Sequence, residues 1–340
     1  MQSNITIALD MMSGDNGVKA SVPAAFSALL AHQDIFLILI GDKSSIEDNI
    51  SDKQKQMFNT RYSIIHTSES INMNDEIVAA IRTKKNSSMR LCINAVKEKA
   101  AHACVSAGNT GALMALSKII LKMIPGIDRP AICGALPCKK GYFHMLDLGA
   151  NVECDANHLY QFSILGSALV QSLEISTKPI VGLLNVGSEE FKGNDTIKKA
   201  DQLIQESNIN YGGFAEGDDL FNGKFDVIVT DGFAGNISLK SIEGVAKFIT
   251  FFLKQEFNKN ILTKLSAILS YPVMKSVKKK IDPRKYNGAS LLGLQGVVVK
   301  SHGSADEFAF SQAISTAYYE SKNNLLNKIE SLIYTGLSND

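Results

Sequence analysis

Short apolar runs alternate with helix-like patterns along almost the whole chain, and this alternation limits the fold more than any other feature. Continuous apolar strands separated by helices are typical of a mostly parallel sheet that helices cover on both faces. The predicted strands are 5–10, 35–41, 62–67, 103–107, 131–137, 142–149, 179–186, 225–231 and 297–303. The predicted helices are 17–32, 75–84, 88–101, 110–123, 155–176, 194–208, 235–257 and 304–328. The sequence therefore predicts an α/β protein with a three-layer α/β/α fold.

The chain has 340 residues, of which 45% are hydrophobic, so it is long enough to bury a large core. No Pro-, Ser- or charge-rich linker divides it, and we therefore predict a single domain over residues 1–340. Nor does any window approach the roughly 20 apolar residues that a membrane-spanning helix needs.

Residues 238–285 differ from the rest and predict a protruding helical hairpin within this domain. One side of its first helix is apolar, with Ile242, Val245, Phe248, Ile249 and Phe252. Basic residues cluster at 275–285. A core or dimer hairpin with a solvated tail explains this pattern, and so does a surface that meets a bilayer or an acidic partner.

Composition excludes several classes of function. The net charge is +1 and Trp is absent, which argues against nucleic-acid binding. The five Cys residues are odd in number and lie in apolar or helical runs, so reduced thiols in a cytoplasmic protein are expected. Met1 to Asp10 lead directly into a strand, so no signal peptide is expected.

Sequence motifs for metals, cofactors and covalent nucleophiles are incomplete. Cys133 and Cys138 lack metal spacing, and the six His residues are dispersed. Neither a GxGxxG nor a GxSxG motif is present, and 217–225 resembles a P-loop with the wrong spacing. The sequence therefore predicts neither a metal nor a cofactor.

Three Gly-Asn turns, within 104–116, 227–240 and 286–303, each follow an apolar strand and precede a helix. Backbone N–H groups at such helix starts bind phosphate or an oxyanion. Ligands of open α/β sheets bind beyond the carboxyl ends of the strands. We therefore expect the three turns to meet at one sheet edge, with the strand ends at 8–10 and 147–151, and to form an anion site.

The first turn, SAGNTG, offers small polar donors at Ser106, Asn109 and Thr110. Gly108 and Gly111 allow a ligand to approach the backbone. Asn109 or Thr110 is equally suited to cap the next helix.

The second turn, DGFAGN, contributes Asp231, Gly235 and Asn236, for which a capped turn is the competing interpretation. The loop at 185–194 supplies Asn185, Lys192 and Asn194, which would line the same cleft unless this is an ordinary polar loop.

The third turn, KSHGSAD, places Lys300, Ser301 and His302 at the end of the last apolar strand. His302 is a candidate donor to phosphate or to a leaving thiolate, although a lone His is more often a structural hydrogen-bonding residue. Asp306 is a candidate acid or base.

Taken together, SAGNTGALMA, LDLGAN, GLLNVGSEEFKGN, DGFAGN, YNGASLLGL and KSHGSAD resemble the bacterial acyl-carrier-protein:phosphate acyltransferase family of phospholipid synthesis. The resemblance spans nearly the whole chain in the right order. The opening motif departs from the family's Asp-Ala-Met-Gly-Gly-Asp, since Met11 and Ser13 are substituted while Asp10, Met12, Gly14 and Asp15 remain.

This resemblance implies a fold like that of phosphate acetyl- and butyryltransferases and the isocitrate-dehydrogenase class. It implies a homodimer that associates peripherally with the membrane through 238–285. It also implies transfer of a fatty acyl group from acyl carrier protein to inorganic phosphate, with the product passed to a membrane glycerol-3-phosphate acyltransferase. Residues 106–111 and 235–236 would then bind phosphate, with Lys192 or Lys300 as the charge and His302 as the donor.

Three alternatives remain at this point. A coenzyme A-dependent phosphate acetyl- or butyryltransferase shares the reaction type but needs no membrane-facing helix. A non-catalytic acyl-chain-binding protein would need no anion site. An NAD-linked decarboxylating dehydrogenase shares the general fold, but the chain has no dinucleotide fingerprint.

Overall fold

The computed structural model describes residues 4–189 and 191–337, so the extreme ends of the predicted domain lie outside the described residues. Helices flank one 11-stranded sheet on both faces, which confirms the predicted three-layer α/β/α fold. The strands are β1 (Ile5–Asp10), β2 (Ile35–Gly41), β3 (Tyr62–His66), β4 (Ala103–Ser106), β5 (Ala131–Cys138), β6 (Gly141–Leu146), β7 (Val181–Leu184), β8 (Tyr211–Ala215), β9 (Val227–Val229), β10 (Ala289–Leu292) and β11 (Val297–Lys300).

The helices include two short ones, α2 and α3, that the sequence analysis did not predict. They are α1 (Val18–Ala31), α2 (Lys43–Asp48), α3 (Asp52–Phe58), α4 (Ile77–Thr83), α5 (Ser88–Lys97), α6 (Thr110–Leu121), α7 (Ala156–Ser172), α8 (Asp195–Gln205), α9 (Gly232–Phe257), α10 (Ile261–Lys280), α11 (Glu307–Lys322) and α12 (Leu325–Leu337). The single helix predicted over 304–328 is wrong, because the chain turns between α11 and α12, where Asn324 adopts a φ of 54°.

The strand order is β3-β2-β1-β4-β11-β10-β5-β6-β9-β7-β8. The first five strands in this order are parallel, as are the last four. Between them, β10 pairs antiparallel with both β11 and β5, and β5 pairs antiparallel with β6. The two parallel blocks therefore run in opposite directions, and their carboxyl ends lie at opposite edges of the sheet.

Successive side chains of the central strands β1 and β11 pack into two different hydrophobic clusters. Leu9 and Val299 join the buried cluster beneath α1 and α11, whereas Ala8 and Val298 join the cluster beneath α5 and α6. This division follows from the period of two in a strand, which sends successive side chains to opposite faces. Burial on both faces explains why these strands are apolar throughout.

Candidate functional site

Three turns meet at the edge formed by the carboxyl ends of β1, β4 and β11, which are neighbours in the sheet. Backbone hydrogen bonds join them: the Ser301 amide donates to the Ser106 carbonyl at 2.9 Å, and the Asp15 amide donates to the Gly303 carbonyl at 2.8 Å. We call residues 10–16, 106–111 and 300–304 the Ser106 cluster. The first and third predicted turns are therefore brought together.

Ser106 lies beneath the surface of this cluster, with 1% of its area exposed. Its hydroxyl donates to Asp10 Oδ2 at 2.6 Å and accepts from the Gly108 amide at 3.1 Å. Ser13 acts in a similar way, because its hydroxyl donates to the Asp10 carbonyl and accepts from the Ala107 amide. Ser106 thus orients the turn that would hold a ligand.

Asp10 is a buried carboxyl that the sequence analysis noted only within the opening motif. Its Oδ1 has no hydrogen-bond partner, although Oδ2 accepts from Ser106. Burial raises the pKa of Asp10, and hydrogen bonds from Ser106 and Ser88 oppose this rise.

Lys300 supplies a buried amine to the cluster, with 9% of its area exposed. Its Nζ donates to the Ala107 carbonyl at 3.3 Å and also to the Ser301 carbonyl, so the side chain joins two turns. Burial lowers the pKa of Lys300 to about 8, although nearby Asp10 and Asp15 oppose this effect. The sequence predicted Lys300 as a charge at an anion site, and in the structure its amine lies within the Ser106 cluster.

His302 is exposed on the same turn. The Ser304 amide donates to His302 Nδ1 at 3.2 Å, so Nδ1 is an acceptor and Nε2 carries the proton of the neutral ring. Asn287 fixes the turn from below: its Oδ1 accepts from the His302 amide at 2.9 Å, and its Nδ2 donates to Ser301 Oγ at 2.8 Å. Asn287 was not predicted, although it lies in the quoted YNGASLLGL segment.

Asn109 caps α6, where its Oδ1 accepts from the Ala112 amide at 3.0 Å. The glycines beside it permit close packing, since a Cβ at Gly108 would lie 2.5 Å from Met89 Cε and one at Gly111 would lie 2.6 Å from Ile77 Cδ1. Exposed Thr110 is the first residue of the helix. Residues 108–111 are therefore at the predicted edge, and the capping alternative explains Asn109.

Both carboxylate oxygens of Asp306 accept hydrogen bonds from other residues of the chain. Its Oδ1 caps α11 by accepting from the Ala309 amide at 2.9 Å, and its Oδ2 accepts from Arg284 at 2.7 Å. These two donors lower the pKa of Asp306. The geometry favours a helix cap over the predicted acid or base.

The second predicted turn lies at the opposite edge of the sheet, at the carboxyl ends of β6 and β9. Asp231, not Asn236, caps α9, because its side chain accepts from the Ala234 amide. A Cβ at Gly235 would lie only 1.9 Å from the carbonyl oxygen of Asp147, so this glycine permits helix and strand end to touch. The expectation that all three turns share one edge is therefore wrong.

Buried Asp147 organises this second group, which we call the Asp147 cluster (residues 147–151 and 231–236). Its Oδ1 accepts from the amides of Ile132, Gly149 and Ala150, and its Oδ2 accepts from the Asn151 amide and side chain. Five donors leave this carboxylate saturated. It acts as the centre of a turn and has no free oxygen for a ligand.

The loop at 185–194 also follows a strand that ends at the second edge. Its polar residues bond locally: Asn185 Nδ2 donates to the Gly187 carbonyl, Lys192 pairs with Glu189 at 2.8 Å, and Asn194 caps α8. These contacts match the alternative of an ordinary polar loop.

The predicted hairpin is present as α9 and α10. Val245, Phe248, Ile249 and Phe252 are between 44% and 63% exposed. Ile242 is the exception, since it is partly buried against the core cluster that contains Leu136 and Phe143, so its predicted outward face is wrong. Further exposed apolar side chains are Phe251, Leu253, Ile261, Leu262, Leu265, Ile268, Leu269, Val273 and Val277.

None of the helices in the described part of the chain is both long and apolar enough to cross a membrane. Residues 4–189 and 191–337 contain no group of three or more His, Cys, Asp or Glu arranged to hold a metal ion.

The fold places the chain among proteins built like phosphotransacetylases. A phosphotransacetylase structure from Streptococcus pyogenes matches with a TM-score of 0.62 and 17% identity, and the match covers 94% of each chain. At this identity the likeness concerns the fold alone. It confirms the predicted similarity in fold to phosphate acetyltransferases.

Comparison of the amino-acid sequence with known proteins identifies the family of this chain within that fold class. The family described as "Fatty acid synthesis protein" matches residues 5–328. A protein from Methylococcus capsulatus named "Phosphate acyltransferase" is 51% identical over 315 residues, which are 93% of each chain. One from Hydrogenovibrio crunogenus with the same name is 50% identical and covers 95% of each chain. The chain belongs to this family and is an acyltransferase, which confirms the resemblance found in its motifs.

Proposed function

We propose that this protein transfers a fatty acyl group from the thioester of an acyl carrier protein to inorganic phosphate and releases an acyl phosphate. The relatives named phosphate acyltransferase support phosphate as the acceptor. The observation that carries the proposal is the Ser106 cluster, in which buried Lys300, exposed His302 and the first turn of α6 lie on adjoining turns.

Phosphate binds in this proposal at the start of α6, where the amides of Thr110 and Gly111 lack partners within the helix. The Lys300 ammonium supplies the compensating charge from below. Because Lys300 already donates to two backbone carbonyls, it is held in place before phosphate arrives. Such preorganisation lowers the entropic barrier to attack.

In the reaction, a phosphate oxygen attacks the thioester carbonyl, the C–S bond breaks, and the carrier thiolate leaves and takes up a proton. No enzyme nucleophile is needed, since phosphate itself is the nucleophile. His302 Nε2–H donates to the developing oxyanion or to the leaving sulfur. One oriented donor of this kind contributes roughly 3 kcal/mol in the transition state.

The decisive experiment follows the release of free thiol from a palmitoyl carrier-protein thioester with and without phosphate. Phosphate-dependent release supports the proposal, whereas release only from acetyl-coenzyme A would assign a coenzyme A-dependent activity instead. Absence of phosphate-dependent release from either donor would refute phosphate acylation.

The role of His302 is tested with His302→Ala. We expect a strong loss of turnover, while stabilisation of the protein by phosphate persists. His66→Ala is the matched control, because His66 is also exposed and its Nδ1 also accepts a backbone amide, that of Lys43. Unchanged turnover in His302→Ala would remove this residue from the chemistry.

The exposed hairpin supports a peripheral membrane location on the cytoplasmic side and a homodimer. Each methylene moved into water costs about 0.8 kcal/mol, so a long-chain acyl phosphate is best passed on at a bilayer, to a glycerol-3-phosphate acyltransferase. The basic residues at 275–285 are suited to an acidic carrier protein. Phe248→Glu should reduce co-sedimentation with phospholipid vesicles while the fold is kept, since Phe248 is 63% exposed.

A further inference from the structure

The segment between β3 and α4, residues 67–76, passes beside the Ser106 cluster. The Met73 carbonyl accepts from Asn109 Nδ2 at 2.9 Å. On the other side, a Cβ built on Gly303 would lie 3.9 Å from Met73 Cε, so the methionine side chain reaches the third turn. Met73 therefore contacts the turn after β4 and lies beside the turn after β11.

Hydrogen bonds with residues 84 and 86 hold this segment against the rest of the fold. At its start, Thr67 Oγ1 donates to the Asn86 carbonyl at 2.7 Å. Nearer its middle, Lys84 donates to the Ser70 carbonyl at 2.8 Å and pairs with Asp75. These bonds hold the backbone of residue 73 in position without a ligand.

The side chain of Met73 is nevertheless 49% exposed, whereas its neighbour Ile71 is 7% exposed and belongs to the core. Partly exposed Asn109 and exposed Thr110 and His302 make the adjoining turns polar, so Met73 brings apolar atoms to a polar rim. An unbranched thioether adapts its shape to an apolar partner at low cost. This combination suits a ligand that has an anion at one end and an alkyl chain at the other.

We propose that Met73 is a specificity-determining residue that packs against the first methylenes of the acyl chain, next to the reacting carbonyl. The inference rests on the proposed function and adds to it the residue that contacts the chain. In this arrangement Asn109 couples the two halves of the substrate site, because its side chain caps α6 and also holds the backbone of Met73.

The test compares Met73→Ala, Met73→Leu and wild type with carrier-protein thioesters of increasing acyl length. Met73→Ala removes Cγ, Sδ and Cε, which the acyl chain would cover. This loss should lower kcat/KM for long acyl donors by about tenfold, with a smaller decrease for the acetyl donor. Met73→Leu keeps the apolar volume and should remain within about threefold of wild type. The KM for phosphate should change less than twofold in both variants.

Met57→Ala is the control, since Met57 is also a largely exposed methionine, at 56%, and lies on α3. It should leave all constants unchanged. An active wild type whose acyl-length profile is the same as that of Met73→Ala would overturn the inference and leave the proposed function intact. An equal rise of the phosphate and acyl KM values would also overturn it, because this would indicate that the Met73 side chain acts only by supporting the turns on either side of it. A wild type without phosphate-dependent thiol release refutes the proposed function, and this inference with it.

Discussion

Gly235 provides the sharpest test of why this chain needs glycine at its turns. The family resemblance implies that Gly235 binds phosphate, whereas the structure indicates that it lets α9 touch the end of β6. A Cβ at this position would lie 1.9 Å from the Asp147 carbonyl oxygen and 3.1 Å from Thr230 Cγ2. The obstructing oxygen belongs to the backbone, so it cannot rotate away.

The expected magnitude follows from two opposing effects. Overpacking costs roughly 3 kcal/mol where the neighbours cannot relax, and here the Asp147 carboxylate holds its turn with five hydrogen bonds. Alanine is favoured over glycine within a helix by about 1 kcal/mol. Gly235→Ala should therefore lower the free energy of unfolding by about 2 kcal/mol or more.

Gly244→Ala is the matched control on the same helix, because a Cβ there would meet nothing within 4 Å. This change should raise the free energy of unfolding by up to about 1 kcal/mol. Both variants are compared by urea denaturation and by stabilisation with phosphate. If Gly235→Ala proved as stable as Gly244→Ala but failed to respond to phosphate, the packing argument would be refuted and Gly235 would return as a ligand contact.

Two further changes test the Ser106 cluster. The pKa of Lys300 is lowered to about 8, so its ammonium is present below that pH and is lost as the pH rises through it. Phosphate affinity, measured by calorimetry, should therefore fall above about pH 8, and Lys300→Met should bind phosphate weakly at every pH. A wild-type affinity that does not change with pH would exclude Lys300 as the charge. Asp306→Asn keeps a side chain that caps a helix as well as aspartate does, so its turnover should stay within about twofold of wild type. Asp306→Ala should lower stability in thermal unfolding by about 1 kcal/mol. A large loss of turnover in Asp306→Asn would instead support an acid or base role.

The sequence was sufficient to locate the long apolar strands, because their burial on both faces leaves a continuous hydrophobic run. It did not reveal β8 or β10. The sequence of β8, YGGFA, contains two glycines, which weaken any strand signal, and β10 has only four residues. Strand β10 matters most, since its antiparallel pairing on both sides begins the reversal between the two blocks of the sheet. Local sequence does not encode that direction.

The same limit applies to the candidate site. Lys300 and His302 were placed correctly at a strand end, since position at the end of a strand is a local property. The roles of Ser106 and Asn109 depend on partners 96 and 36 residues away, Asp10 and Met73. Small polar residues at a turn look alike in sequence, whether they face a ligand or the protein interior.

The attachment of α9 has a mechanical consequence. Its first turn is clamped against the Asp147 carbonyl, while its later turns stand clear of the sheet. Beyond that turn, this 26-residue helix contacts the rest of the chain through α10 and through Leu239 and Ile242, and most of its other side chains are exposed. A surface that covers the exposed apolar side chains of α9 and α10 therefore sets the orientation of the whole protein. It also sets the distance between that surface and the Ser106 cluster.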